Sequence, residues 1–253
     1  MQTTGNTILI TGGGSGIGRG LAEAFHALGN TVIIAGRRQS ALDETASAHP
    51  GMVALSFDVE NRESIHGFAA KVAAANPALN VLINNAGIMR PENLRERGDL
   101  VDAEAMVTTN LLGPIRLTGA LLPQLRKQKR ATIMNVSSGL AFVPLAMTPT
   151  YCATKAAIHS YTQSLRYQLK DTSVDVLELI PPYVQTELLG AHQLSDPRAM
   201  PLNDFIASVM TILKTDAPEI CVEQVKPLRH AEASGSFDAF FKSFNDAMSA
   251  ASH

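Results

Sequence analysis

Thr11-Gly12-Gly13-Gly14-Ser15-Gly16-Ile17-Gly18 decides the fold of this 253-residue chain. An apolar β-branched run, Thr7-Ile8-Leu9-Ile10, precedes it. A helical pattern through Leu21, Ala24, Phe25 and Leu28 follows, and Gly29-Asn30 stops that helix. Glycines at a strand-to-helix turn let the backbone bend tightly and let a pyrophosphate approach the amides. The helix N-terminus then offers oriented N–H groups and partial positive charge. A flexible glycine-rich loop is the alternative, but the position between the first strand and the first helix favours a nucleotide cradle.

The same alternation continues along the chain. Thr31 to Ala35, Met52 to Phe57, Asn80 to Ile83, Ala131 to Val136 and Val174 to Ile180 read as strands. Helices are expected from Asn61 to Ala75, from Asp102 to about Arg126 and from about Thr150 to Leu169, with a second helix opened by a Ser40/Asp43 capping box. The strands are apolar almost throughout, as required when helices cover both faces. Repeated β-α-β order predicts an α/β, Rossmann-type, doubly wound parallel sheet with helices on both faces. No linker or repeat divides residues 1–253, so one domain is expected. Ligands of such a sheet bind outside the carboxyl ends of the strands.

Composition narrows the function classes. Hydrophobic residues are 45% and charged residues 17%, enough apolar material for a sizeable core. Lysine and arginine total 21 against 23 acids, which gives no reason to expect nucleic acid or an anionic membrane as partner. No apolar run is long enough for a membrane span. Met1 to Ile10 has no basic residue, and the two cysteines, Cys152 and Cys221, form no disulfide framework. A cytoplasmic protein is expected.

The end of the second strand selects between the nicotinamide cofactors. An acid there would bind the ribose 2′-hydroxyl of NAD. This chain has Gly36-Arg37-Arg38 instead, and guanidinium groups suit a 2′-phosphate. NADP(H) is therefore expected, with Arg37 ahead of Arg38; two solvated loop arginines are the alternative.

The chemistry is expected after the fifth strand. Ser138 follows it, and Tyr151 and Lys155 lie four residues apart, on one face of the next helix. Reducing a carbonyl requires a proton for the forming alkoxide. A lysine cation favours the phenolate and lowers a tyrosine pKa toward the working range, and a serine hydroxyl can orient the carbonyl oxygen.

In these residues the chain resembles the short-chain dehydrogenase/reductase family over about its first 190 residues. The glycine segment matches the family's cofactor motif, and Asp58-Val59 its adenine-contacting pair. Asn84-Asn85-Ala86-Gly87 matches its N-N-A-G segment, and Asn110 its asparagine that holds a relay water. Ser138, Tyr151 and Lys155 match its catalytic residues, including the 13-residue step from serine to tyrosine. The segments 181–186, 200–205 and 225–229 resemble those of the DltE-like group. The resemblance implies catalytic roles for Asn110, Ser138, Tyr151 and Lys155. It implies cofactor contacts from Gly12, Gly14, Ser15, Gly16, Ile17, Gly18, Arg37, Arg38, Asp58, Val59, Asn85, Ala86, Gly87, Tyr151, Lys155, Pro181, Val184 and Thr186. One departure is Pro182, where the family commonly has glycine. Proline restricts φ and unsettles the contacts expected from Val184 and Thr186 to the nicotinamide carboxamide.

The resemblance also implies that Pro144, Leu145 and Met147, which precede the tyrosine, line the substrate pocket, with Met89, Tyr183, Leu188, Leu189 and Met200 expected to close it. That apolar set suits a hydrophobic ketone or aldehyde. Residues from 187 to about 215 are expected to form a substrate lid, and its first part, 187–201, a mobile cover. Arg90, Arg95 and Arg97 form a basic loop near the rim. The histidines show no metal-ligand spacing, His159 is expected to be packed, and no metal is expected. Phe237, Phe240, Phe241, Phe244 and Met248 make one stripe on a helix over about 235–250, covering either the chain's own core or a partner subunit. A homodimer or homotetramer is expected. The resulting expectation is an NADP(H)-dependent carbonyl reductase or alcohol dehydrogenase with a small-molecule substrate. The rivals are an NADP-binding sensor or scaffold and a dehydratase or epimerase that recycles its cofactor.

Overall fold

The computed structural model describes residues 1–96, 98 and 100–249. Arg97 and residues beyond 249 lie outside them.

Seven parallel strands form one sheet in the order β3-β2-β1-β4-β5-β6-β7. They are β1 (Thr7–Thr11), β2 (Thr31–Gly36), β3 (Val53–Ser56), β4 (Leu79–Asn84), β5 (Ala131–Val136), β6 (Val174–Ile180) and β7 (Glu219–Cys221). Alternate residues of a strand face opposite ways. Ile8 and Ile10 accordingly pack into one core with Leu21, Phe25, Phe205 and Val209. Leu9, between them, packs into the other with Ile65, Leu117, Leu121 and Ile133. Helices α1 (Gly16–Ala27) and α7 (Leu202–Ile212) supply the first face; α3 (Arg62–Ala75), α5 (Gly113–Leu125) and α6 (Pro149–Leu169) supply the second. Both faces are therefore dry, which is why the strands carry so little polar alternation.

Four local expectations are corrected. Helix α2 (Gln39–Ser47) starts at Gln39 with Arg38 in the cap position and no side-chain cap. Asp43 accepts instead from Gln39 Nε2 at 2.7 Å, one turn back, so Ser40 and Asp43 form no capping box. The expected helix from Asp102 is interrupted. Helix α4 (Val101–Val107) passes through a π-helical turn, Thr108–Leu112, into α5. Pro114 has no N–H to return to the Asn110 carbonyl, and Gly113 donates to Thr108 across the wider turn. Strand β7 went unseen because Glu219-Ile220-Cys221 is too short for a pattern. The segment expected as a lid is divided: α7 buries Phe205 and Val209 completely in the main core, so only the part before it covers a cavity.

A buried polar chain crosses the second face beside the site. Asn84 Nδ2 donates to Asn135 Oδ1 at 2.8 Å and to Thr118 Oγ1 at 3.0 Å. Asn135 Nδ2 in turn donates to Thr162 Oγ1 at 2.9 Å. This chain ties β4, β5, α5 and α6 together where apolar contacts alone leave their register less determined. Asn135→Ala removes one of the two acceptors of the Asn84 amide and the donor to Thr162, and should cost about 1–3 kcal/mol, read as a lower urea midpoint at unchanged m-value.

Candidate active site

Strand ends bring the site together. Thr11 Oγ1 at the end of β1 accepts from the Asn85 and Ala86 N–H groups, each at 3.1 Å. Asn85 Nδ2 donates to the Thr11 carbonyl at 3.0 Å, so the segment after β4 braces the glycine turn. Gly12 has φ +68°, a conformation side-chain-bearing residues rarely adopt. At Gly18 an added Cβ would lie 2.2 Å from the Gly12 carbonyl oxygen, which only glycine avoids. Ser15 precedes α1 in extended conformation without capping its amides. Those first-turn donors face a cavity of about 930 Å³ that runs from Arg37 and Arg38 past the glycine turn to Tyr151 and on to the apolar cover.

A second recess of about 180 Å³ shares Gly12, Ser15, Arg37 and Arg38 with it and adds Gly14, Phe57 and Val59. Asp58 faces neither cavity; its carboxylate accepts the Glu60 N–H at 3.0 Å. Gly18, behind the turn, also lines neither and instead keeps the cradle narrow. The two arginines differ. Arg37 pairs with Glu60 at 2.7 Å, whereas Arg38 donates to Ser15 Oγ at 2.8 Å beside the start of α1. Basic groups at one end, uncapped helix amides in the middle and an apolar chamber at the other end suit a nicotinamide dinucleotide.

Tyr151 and Lys155 sit in the first turns of α6. Glu92, from the loop after β4, caps that helix remotely: its carboxylate accepts the Thr150 N–H at 2.9 Å and the Thr150 hydroxyl at 2.8 Å. Lys155 Nζ lies 5.5 Å from the Tyr151 ring centroid and donates to the Val136 carbonyl at 2.8 Å. Both side chains are buried. Burial pushes the Tyr151 phenol well above its usual range, while a hydrogen bond with Ser138 pulls it part of the way back. Burial also lowers the Lys155 ammonium to about 8, opposed by the charge of Glu178. Burial is the largest cause for both groups: it raises the phenol, opposite to the lowering expected from the lysine, and lowers the ammonium. Tyr151 is held protonated.

Ser138 Oγ accepts the Leu140 N–H at 3.1 Å at the end of β5. Asn110, on the π turn, exchanges hydrogen bonds with the Ile88 backbone at 2.8 and 2.9 Å and reaches Thr154 Oγ1 at 3.2 Å. It therefore joins α6 to the segment after β4, close behind Lys155.

The chamber beyond Tyr151 matches part of the expected lining. Met89, Leu145, Tyr183, Leu188, Leu189 and Met200 line it, with the Tyr183 hydroxyl donating to Asp196 at 3.1 Å. Pro144 and Met147 do not. Both point to solvent, because Val143 and Leu145 take the inward places on that short loop. Arg90 lines the rim but pairs with Asp102 at 2.8 Å. Gln193, which the sequence did not suggest, donates from Nε2 to the Val184 carbonyl at 2.7 Å and to Thr186 Oγ1 at 3.1 Å. Its primary amide thus engages the two groups expected to meet the nicotinamide carboxamide. Pro181, Pro182, Val184 and Thr186 all line the cavity.

Helix α9 (Phe237–Ser249) settles part of the question of its stripe. Phe244 and Met248 line the chamber and pack with Met89, Leu145 and Tyr151. Asn245 fastens the helix: Oδ1 accepts the Ala146 N–H at 2.7 Å and Nδ2 donates to the Pro144 carbonyl at 3.1 Å. Phe237 stacks on Phe241 with centroids 6.0 Å apart, and Phe240 on Phe244 at 6.4 Å. A polar residue between two apolar ones of the stripe was the only signal for Asn245.

His159, Glu178 and Glu219 bring their ligand-type atoms within 4.8 Å of one another, though no spacing announced it. Arg229 already holds both Glu219 oxygens, at 2.8 and 3.1 Å, so the cluster has its cation. Cys152 and Cys221 are free thiols. Among the described residues no helix is long and apolar enough to cross a membrane.

A glycine turn at the end of β1 on a parallel sheet, sharing a cavity with a serine, tyrosine and lysine at the end of β5, defines a class of oxidoreductases. A family model described as short chain dehydrogenase matches residues 6–196. The "Uncharacterized oxidoreductase DltE" of Bacillus subtilis (strain 168) is 40% identical over 256 residues, covering 97% of this chain and 98% of that protein. A short-chain dehydrogenase from Burkholderia cenocepacia J2315, solved in complex with NADP, is 26% identical with a TM-score of 0.80 over 92% of this chain and 94% of that one. A short-chain dehydrogenase/reductase from Burkholderia phymatum, solved in complex with NAD, has a TM-score of 0.81 at 21% identity over 94% of this chain and 96% of that one, a likeness of fold alone. The chain belongs to the short-chain dehydrogenase family.

Phe244→Ala removes the ring that closes the chamber. It should shift relative kcat/KM toward bulkier ketones by about 10-fold while leaving cofactor affinity unchanged. Competition between ketones of graded size reads this directly.

Proposed function

We propose that the protein is a cytoplasmic NADP(H)-dependent oxidoreductase that reversibly reduces a hydrophobic ketone or aldehyde to an alcohol. The observation that carries this reading is the buried Ser138–Tyr151–Lys155 set at the junction of a basic nucleotide cleft and an apolar chamber.

The glycine turn and the first amides of α1 would hold the pyrophosphate, Arg37 and Arg38 the 2′-phosphate, and Lys155 the nicotinamide ribose. When bound, the cofactor supplies a hydride. Ser138 orients the carbonyl oxygen of the substrate. Tyr151, which its surroundings keep protonated, delivers its proton to that oxygen as negative charge develops there. The Lys155 ammonium stabilises the phenolate left behind, and in this water-poor site its effect is stronger than at a surface. Asn110 holds the turn from which a water is positioned to return the proton. The apolar cover excludes bulk water and selects a hydrophobic substrate.

The preference for the 2′-phosphate rests more on Arg38 than the sequence suggested. Glu60 partly neutralises Arg37, and a phosphate must displace that half-exposed pair, a contact worth about 0–1 kcal/mol. Among the described residues the partner of the Arg38 guanidinium is the neutral Ser15 hydroxyl.

Tyr151→Phe should lower turnover of apolar ketones by about 10²–10⁴-fold while cofactor binding survives. Full turnover in that variant would overturn the assignment. Tight cofactor binding without turnover by the unaltered protein across a broad ketone panel would favour a sensor. Product formation without net cofactor consumption would favour a dehydratase or epimerase. Arg38→Ala should weaken NADPH binding by about 10- to 100-fold with little effect on NADH, and Arg37→Asp should move the preference further toward NAD. Equal use of both cofactors by the unaltered protein counts against the NADP(H) reading; fluorescence titration measures each.

A further inference from the structure

Glu178 is one of two acids in β6; Asp175 is exposed, whereas Glu178 is completely buried. The chemistry proposed above does not use it. Its hydrogen-bond partners lie next to residues that adjoin the catalytic lysine. Ser137 Oγ, the residue before Ser138, donates to Glu178 Oε1 at 2.6 Å. His159 Nδ1 meets Glu178 Oε2 at 2.8 Å and Oε1 at 3.0 Å. Tyr151, Lys155 and His159 recur every four residues on α6, so they share one stripe. The Val136 carbonyl that receives Lys155 Nζ is next to Ser137. The same carboxylate is thus clamped by one residue adjoining the catalytic serine and by another one turn beyond the catalytic lysine.

The groups around it come from every packed element. Ser137 comes from the end of β5, Lys155 and His159 from α6, and Glu219 and Cys221 from β7. Arg229 comes from the short helix α8 (Lys226–Arg229) and pairs with Glu219. Arg166 of α6 donates to the Val176 and Pro218 carbonyls behind Glu178. Phe142 seals the outer side, with its ring edge-to-face on His159 at 4.7 Å and under the Arg229 guanidinium at 4.6 Å. Arg229 balances Glu219, whereas Glu178 is held by His159, one turn beyond Lys155 on α6, and its charge acts on Lys155.

We propose that Glu178 is a positioning residue for the catalytic pair: held by Ser137 and His159, its buried carboxylate keeps Lys155 in the ammonium form. The pair Ser137–His159 orients the carboxylate, and the carboxylate offsets the desolvation of the lysine. Lys155 is otherwise buried with a backbone carbonyl as its hydrogen-bond acceptor. The significance for catalysis rests on the function proposed above; the electrostatic linkage does not, and is tested without substrate or cofactor.

The experiment follows the ionisation of Lys155 by NMR in protein carrying lysine labelled with carbon-13 at Cε, between pH 6 and 10, with the resonance assigned by its loss in Lys155→Arg. In the unaltered protein the midpoint should lie near 8. A negative charge favours the protonated amine, so removing it must lower the midpoint. Glu178→Gln should move it down by about one pH unit, a tenfold change in the ionisation constant, and Glu178→Asp should restore most of the shift. Ser137→Ala keeps every charge and removes one clamp, and should move the midpoint the same way by less. An unmoved or raised midpoint in folded Glu178→Gln overturns the proposal. Should that chain not fold, an unmoved midpoint in Ser137→Ala does so. Failure of Tyr151→Phe to lose turnover would overturn the catalytic reading while leaving this linkage standing.

Discussion

Burying a phenol and an ammonium one helical turn apart is the constraint around which the site is arranged. Water would solvate both groups, and the protein removes it. The phenol is thereby held protonated and the ammonium is weakened, so each must be compensated by fixed partners rather than by solvent. Ser138, the Val136 carbonyl and Glu178 are those partners, and they come from the ends of two adjacent strands. A site built this way pays for its dryness in buried polar groups, which bond to one another rather than to water; Asn84 Oδ1 is a buried atom without a partner among the described residues.

The parallel sheet makes that joining possible. β1, β4, β5 and β6 are neighbours in space although long stretches of chain separate them. Their carboxyl ends lie along one edge, and side chains stitch that edge from strand to strand. Thr11 binds the segment after β4, Asn84 binds Asn135, and Ser137 binds Glu178. The glycine turn and the Ser138–Tyr151–Lys155 set therefore adjoin one hydrogen-bonded rim. Displacing the end of any one of these strands disturbs its neighbour, because the buried donors have no water to fall back on.

The substrate side is built differently. Its cover consists of residues 187–201 and of α9, joined to the core by a few polar fasteners and by flexible apolar side chains. Gln193 holds the first to the end of β6, and Asn245 holds the second to the loop before α6. Methionines at 89, 200 and 248 can repack around differently shaped ligands. The strand ends hold Ser138 and the backbone partner of Lys155 in a hydrogen-bonded frame, and a lightly fastened cover closes the apolar end of the cavity.

Local patterns in the sequence determined the parallel sheet, the glycine cradle and the Tyr151–Lys155 pairing. Runs such as Val174–Ile180 report burial on both faces, and a four-residue step on a helix reports adjacency whatever the rest of the chain does. The interrupted helix at Asn110 was also within reach, since Pro114 forbids an unbroken ladder. Long-range contact decided the remainder. Glu60 on Arg37, Glu92 on the start of α6, Gln193 on Val184 and Asn245 on Pro144 link positions with no periodic relation. Pro144 and Met147 point outward because a short loop can turn only some of its residues inward. Glu178 shows the boundary most clearly. Two acids in β6 are visible in the sequence, but that Glu178 is the buried one, and which charge it answers, depends on the packing of α6 against β6. Electrostatic energy depends on distance and on the exclusion of water, and both are properties of the folded chain.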